Sequence, residues 1–223
     1  GDTHQYDNDF VQYTTTKQGQ YDLTTQAVDF NYSNLAKMSA QSVELFLEDT
    51  ATTANTGFTQ VVLINPDSPS ASDTVQGLIG YDDSNIRPSL YFNKTNETVY
   101  SIYDSESSGA YTETQTAESL PDTLADAVDS GRLHIVLNRV SYTGDKNEII
   151  IDGRELVQET VNSSTMWSSE YLDIAHVDGT SYFDGDFHEV LLFNEALSDQ
   201  NVWNLNYYLS SKWGMEDYVD SDD

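Results

Sequence analysis

The sequence predicts an all-β fold: a two-sheet antiparallel β-sandwich of jelly-roll type with one C-terminal helix. Three observations carry that prediction. Short runs rich in β-branched and aromatic residues alternate apolar with polar at period two, spread evenly along the 223 residues. Clusters of Asn, Asp, Ser, Thr and Gly separate them, with no alternation of strand and helix of the kind that builds a parallel sheet. A single strongly signalled helix, with start and stop signals at both ends, follows the last strand.

In chain order, the run 42–48 places Val43, Leu45 and Leu47 on one face, and further strands are expected over 58–64, 75–81, 89–93 and 99–103. The second half adds 133–140, 148–151, 154–157, 171–175 and 187–193. Asp152-Gly153 joins two of these as a two-residue hairpin, because a type I′ turn needs positive φ at both central positions. A short surface helix is expected over 121–130, from Leu124 and Val128 at i and i+4, Asp122 as cap and Gly131 as stop.

The stronger helix runs over 198–213. Ser198 caps it, Leu197 and Val202 occupy the two positions of a hydrophobic staple, and Val202, Leu205, Leu209 and Trp213 share a face. Lys212 and Gly214 close it. Trp203 and Trp213 are both expected to pack on the sandwich. Residues 1–215 then read as one domain and 216–223 as an acidic tail or linker, and the whole as one module cut from a longer protein.

Charge and composition narrow the function. Nine Lys and Arg face 38 Asp and Glu, a formal net charge of −29. That field repels phosphate backbones and anionic lipid, so nucleic acid and acidic membranes are excluded as charge-driven partners, whereas cations are attracted. No apolar run approaches the ~20 residues of a membrane helix, so no membrane insertion is expected. The absence of cysteine rules out disulfide staples, thiolate catalysis and cysteine-held metals, leaving bound calcium as a staple open to a secreted domain.

The most specific stretch is Phe183-Asp184-Gly185-Asp186-Phe187-His188-Glu189-Val190-Leu191-Leu192-Phe193-Asn194-Glu195-Ala196-Leu197-Ser198, followed by Tyr208-Leu209 and Lys212-Trp213-Gly214. It resembles the closing segment of the laminin G-like family in the concanavalin A-like lectin/glucanase superfamily. The likeness is tight over 183–215 and looser over 133–156, where Leu133-His134-Ile135-Val136-Leu137 and Ile151-Asp152-Gly153-Arg154 look like paired strands of that family.

The resemblance implies a noncatalytic recognition module of a secreted or surface protein that binds calcium at a rim and contacts glycan or protein there. It makes Asp184, Asp186 and Glu189 the nearest candidates for metal ligands. Ca²⁺ takes six to eight oxygens, which only loops dense in Asp and Asn supply cheaply. Asp82 and Asp83 in one such loop and Asp145 in another are the further metal candidates, and Asp7-Asn8-Asp9 is also dense. No EF-hand spacing occurs. Each loop taken singly reads first as a solvated acidic turn, while at least one bound Ca²⁺ is expected for the chain as a whole, and the acidity also suits a halophile's hydrated surface.

Catalytic patterns are missing. Glucanases of the same superfamily carry Glu-x-Asp-x-x-Glu on one strand, and the nearest imitation, Glu170 and Asp173, is spaced by three, which puts the two carboxylates on opposite faces. No Gly-x-Ser-x-Gly, His-Glu-x-x-His or phosphate loop is present. His134 and His188 fall within strands, as hydrogen-bonded structural residues do. Aromatic rings with one apolar face can grip a sugar or a peptide side chain, and Tyr81, Tyr103, Tyr111, Trp167 and Tyr182 are the loop candidates.

The sequence thus points to a noncatalytic, calcium-dependent ligand-binding module, for glycan or peptide, of an extracellular cell-surface adhesin of the calcium-loaded RTX type. An accessory carbohydrate-binding domain of a polysaccharide-degrading enzyme is the alternative. Its partners would be a cell-surface glycan or protein ligand and the neighbouring domains of its own chain.

Overall fold

A computed structural model describes residues 20–30, 37–41, 57–66, 75–81, 89–93, 98–105, 110–115, 132–141, 144, 146–160, 171–177 and 181–217. The strands are β1 (Gln20–Asp22), β2 (Ala27–Phe30), β3 (Met38–Gln41), β4 (Gly57–Pro66), β5 (Val75–Tyr81), β6 (Ser89–Asn93), β7 (Thr98–Ser105) and β8 (Ala110–Gln115). They continue as β9 (His134–Ser141), β10 (Lys146–Ile151), β11 (Arg154–Thr160), β12 (Tyr171–Ile174), β13 (His176–Val177), β14 (Ser181–Tyr182) and β15 (Gly185–Phe193), before helix α1 (Asp199–Trp213).

A seven-stranded sheet runs β1-β2-β15-β4-β9-β10-β11 and a six-stranded sheet runs β3-β12-β5-β6-β7-β8, with β13-β14 as a separate ribbon. The pairings are antiparallel. This is the expected antiparallel sandwich with its C-terminal helix. The runs expected at 42–48 and 121–130 lie outside the described residues, as do 218–223.

Strand β4 shows why the fold closes this way. Its Val61-Val62-Leu63-Ile64 is buried throughout because both faces of the seven-stranded sheet are covered. Val62 and Ile64 join Phe30, Phe92, Leu90, Val136, Ile149, Leu172 and Phe187 between the sheets. Val61 and Leu63 point the other way, with Ile135, Leu137 and Ile150, onto Leu197, Val202, Leu209 and Met215 of the helical layer. The helix therefore forms a third layer on the outer face of the larger sheet.

Side chains fix its entry and exit. Ser198 accepts from the Asn201 backbone N–H, and Gly214 at φ 68° ends the helix in the left-handed conformation. Thr59 Oγ1 donates to Glu195 O at 2.9 Å and accepts from Leu197 N at 3.0 Å, pinning the corner before the helix. Arg139, buried beneath that corner, donates to Glu148 at 2.5 Å, and at 2.7 Å to both Leu197 O and Asp199. Asp152 and Gly153 take positive φ at 51° and 80°, as the expected hairpin turn requires.

A polar bridge crosses the sandwich core. Asn138 donates to Asn147 at 2.6 Å, Asn147 donates to Ser101 of the opposite sheet at 2.7 Å, and Gln60 donates to Asn138 at 3.1 Å.

After β12 the chain turns at Ala175 (φ 62°), whose N–H reaches Leu78 O at 2.9 Å, and the β13-β14 ribbon then crosses β5. Gly77 allows that crossing, since a Cβ there would lie 2.5 Å from Val177 N and 2.6 Å from Ser181 O.

Candidate functional site

The start of β15 gathers acid. In register, Asp186 lies opposite Asp29 of β2 on one side and Asn65 of β4 on the other, so three oxygen-bearing side chains share one row across three strands. Alternation puts this row on the outer face of the sheet, since the neighbouring Phe30, Phe187 and Ile64 point into the core. Asp184 precedes the row and Asp22 lies on the adjoining edge strand β1.

The consequence is electrostatic crowding. Desolvation by the surrounding chain, then the charges of Asp186, Asp184 and Asp22, raise the Asp29 pKa above its ordinary value. The Asn65 side-chain oxygen is buried there without a hydrogen-bond partner. Among the described residues, however, no three acidic or histidine side chains converge as a set that could hold a metal ion. Calcium at this end would have to complete its shell with the Asn65 oxygen and backbone carbonyls.

Glu189 stands apart from this row. One of its oxygens accepts from Lys212 at 2.9 Å and the other from Trp213 Nε1 at 2.8 Å, so the carboxylate ties β15 to the last turn of α1. Asp82, Asp83, Asp145 and Trp167 lie outside the described residues. Tyr81, Tyr103 and Tyr111 belong to strands β5, β7 and β8 rather than to loops. Tyr182, also on a strand, is buried in the ribbon with its ring 4.4 Å from that of His176. Trp213 packs on the sandwich as expected. Trp203 does not: it is 36% exposed and stacks on Tyr207 at 5.8 Å.

Sequence reasoning missed the most heavily buried charged cluster among the described residues. Asp173 is fully buried beneath the ribbon, where it accepts from Lys37 at 2.7 Å, from His176 Nδ1 at 2.6 Å and from the Ser39 hydroxyl. Burial pushes its carboxyl up, but the bonds from His176, Lys37 and Ser39 outweigh burial and hold it below the ordinary aspartate value. The Ser39 hydroxyl donates to the carboxylate, not to the imidazole, so the trio lacks the nucleophile–base contact of a hydrolase. It fastens β3 and the ribbon to β12. Only the register of distant strands brings Lys37 to Asp173, and no local motif marks it.

No protein-family model matches this sequence, and no curated protein matches it. Solved structures share the fold. The binding domain of botulinum neurotoxin serotype G superposes with a TM-score of 0.63 at 13% identity, over 81% of this chain and 42% of that one. The binding domain of botulinum neurotoxin DC in complex with rat synaptotagmin II gives a TM-score of 0.57 at 11% identity, over 78% and 40%. A third match, at TM-score 0.56 and 10% identity over 78% and 40%, is a structure described by the dependence of botulinum neurotoxin type C cell entry on two ganglioside molecules. At these identities the likeness is one of fold, and the chain spans about 40% of the length of those structures.

Proposed function

We propose that this chain is a noncatalytic ligand-binding module acting outside the cell, with a cell-surface glycan or protein as its ligand. The observation that carries the reading is the shared sandwich: the matched structures are described as binding domains, in complex with a protein receptor in one case and tied to gangliosides in another. Fold likeness is an analogy, since function lives in sites rather than folds. The state of the buried carboxylates also supports it. Asp173, Glu148 and Asp152 are engaged by Lys37 and His176, by Arg139 and by His134, as structural carboxylates are.

Calcium is proposed as an ion shared by Asp29, Asp186 and the Asn65 oxygen of one row, with backbone carbonyls completing its shell, because crowded carboxylates repel one another until a divalent ion bridges them. Binding to the native state alone then raises stability. The laminin G-like ancestry and the adhesin setting belong to the same proposal.

The test uses the chain on a glycan array and a peptide array, each with calcium and with EGTA, alongside melting in EGTA, CaCl₂ and molar KCl. Ligand capture supports the module. Silence on both arrays leaves a structural spacer as the better account. A melting temperature rescued by KCl but indifferent to chelation points to a halophile's surface instead.

A further inference from the structure

Lys37 and Asp173 bring an amine and a carboxyl group together where water is kept out. Register sets Asp173 of β12 opposite Ser39 of β3, and Lys37, two residues before Ser39, falls on the same face. Leu172 and Ile174 turn into the sandwich core, so Asp173 faces outward beneath the β13-β14 ribbon, where it is 0% exposed. Ala175, at φ 62°, turns the chain so that His176 folds back onto it. Three side chains then surround one carboxyl group. Lys37 Nζ lies 2.7 Å from Oδ2, His176 Nδ1 lies 2.6 Å from the same oxygen and 3.5 Å from Nζ, and the Ser39 hydroxyl donates to Oδ1.

We infer that Lys37 and Asp173 condense to an intramolecular isopeptide bond, a covalent staple between the start of β3 and β12. The step balances within the pair. Nζ forms a bond to Cγ, the Cγ–Oδ2 bond breaks, and Oδ2 leaves as water with two of the three ammonium protons, the third staying on the amide nitrogen. No oxidant, reductant or other reactant is needed. Ser39 donates to the oxygen that becomes negative as Nζ adds, as an oxyanion-hole donor does. His176 Nδ1, beside both Nζ and Oδ2, passes a proton from the nucleophile to the departing oxygen.

The reactant state is the ion pair: burial raises the Asp173 pKa, but the bonds from His176, Lys37 and Ser39 hold it below its ordinary value. Proton transfer along the hydrogen bond from Nζ to Oδ2 converts it to the neutral amine and acid that react, with no change of net charge. Condensation then removes two charges from a dry site, where each carries a desolvation cost. Well-oriented groups react as if at effective concentrations of about 10⁵–10⁸ M, far above that of the water that would reverse the step. The lysines of other pairs lack this shielding. Lys146 beside Glu148 is 46% exposed and Lys212 beside Glu189 is 40% exposed, against 19% for Lys37. In a chain without cysteine, a bond spanning 136 residues restricts the unfolded state as a disulfide does.

The test is the intact mass of the purified full chain, denatured before measurement. Expected is a wild-type mass lower than that of the sequence by one water, about 18 Da, and a tryptic fragment in which the peptide containing Lys37 stays joined to the one containing Asp173, uncut after Lys37. Lys37→Arg and Asp173→Ala should each show their full mass. A wild-type chain that keeps its full mass on prolonged incubation at neutral pH overturns the proposal and leaves an ion pair. Wild type decides this by itself, whether or not the variants fold. A loss of water that persists in Lys37→Arg, or that maps to Asp152-Gly153 or Asp184-Gly185 as a succinimide, overturns it as well.

Discussion

Glu189 accepts from the indole N–H of Trp213 at 2.8 Å, across 24 residues of sequence, and so joins the middle of β15 to the last turn of the helix. The carboxylate is an anchor between layers. Glu189→Ala leaves the indole donor without its acceptor and should cost roughly 1–2 kcal/mol, mostly from that bond, because the partly exposed Lys212 pair contributes little. Glu189→Gln keeps an acceptor for the indole and should stay within about 1 kcal/mol of wild type in urea melts. Both variants should respond to calcium and EGTA as wild type does. A lost calcium response in Glu189→Gln would place this residue in a metal shell instead.

The crowded row at Asp29 and Asp186 predicts the opposite sign. Like charges directly opposite on neighbouring strands destabilise by roughly 0.2–1 kcal/mol, so Asp29→Asn should melt higher than wild type at pH 7. The folded-state pKa of Asp29 is raised, so its contribution is most favourable below the unfolded value of 3.8 and is lost as pH rises through the folded value. The advantage of Asp29→Asn should therefore vanish in acid, below pH 3.8, and be full at neutrality. It should also shrink in CaCl₂ if the row holds the ion. Equal melting of variant and wild type at pH 7 would remove the crowding argument.

His188 gives a second titration. It is the bulged residue of β15, its ring meets Trp213 edge-on at 4.9 Å, and its buried Nδ1 has no hydrogen-bond partner. Burial lowers its pKa from 6.5, so the folded state favours the neutral ring. Stability from this site is full above pH 6.5 and lost as pH falls through the depressed folded value. His188→Phe should flatten the stability profile below pH 6.5, measured by urea melts at stepped pH. An unchanged slope would mean that the neutral form is not favoured on folding.

What the sequence makes legible here is local. Ser198, Leu197, Val202 and Gly214 mark the helix because capping and stapling depend on neighbours a few positions apart, and Asp152-Gly153 marks its hairpin for the same reason. Strand β4 is legible from an apolar run that only a doubly covered strand needs. The ribbon strands β13 and β14 have two residues each, too short for any period to register. Asp173 meets Lys37 across 136 residues, and nothing in either neighbourhood announces the other. Glu189 is visible as an acid on a strand, whereas its engagement by Trp213 depends on where the helix ends over the sheet. Trp203 is misplaced by residue type alone: a large aromatic suggests core, but its helical position faces solvent.

The core supplies the last prediction. Gln76 is fully buried opposite Phe92, in a row of the six-stranded sheet that runs on to Val99 and faces the sandwich interior, and neither atom of its amide has a hydrogen-bond partner. The contrast with Asn138 and Asn147 is direct, since those amides bond to Gln60, Ser101 and each other. A buried unpaired amide costs roughly 1–3 kcal/mol, and methionine matches glutamine in length while carrying nothing to satisfy. Gln76→Met should therefore stabilise the domain by about 1–2 kcal/mol, a rise of several degrees in melting temperature for a chain of this size. Asn147→Leu, nearly isosteric but networked, should do the reverse, because it strips Asn138 and Ser101 of a partner in the same low-dielectric interior. Measuring the two together separates polarity from packing. If Gln76→Met destabilises as Asn147→Leu does, the Gln76 amide is held by a buried water and belongs with the polar bridge.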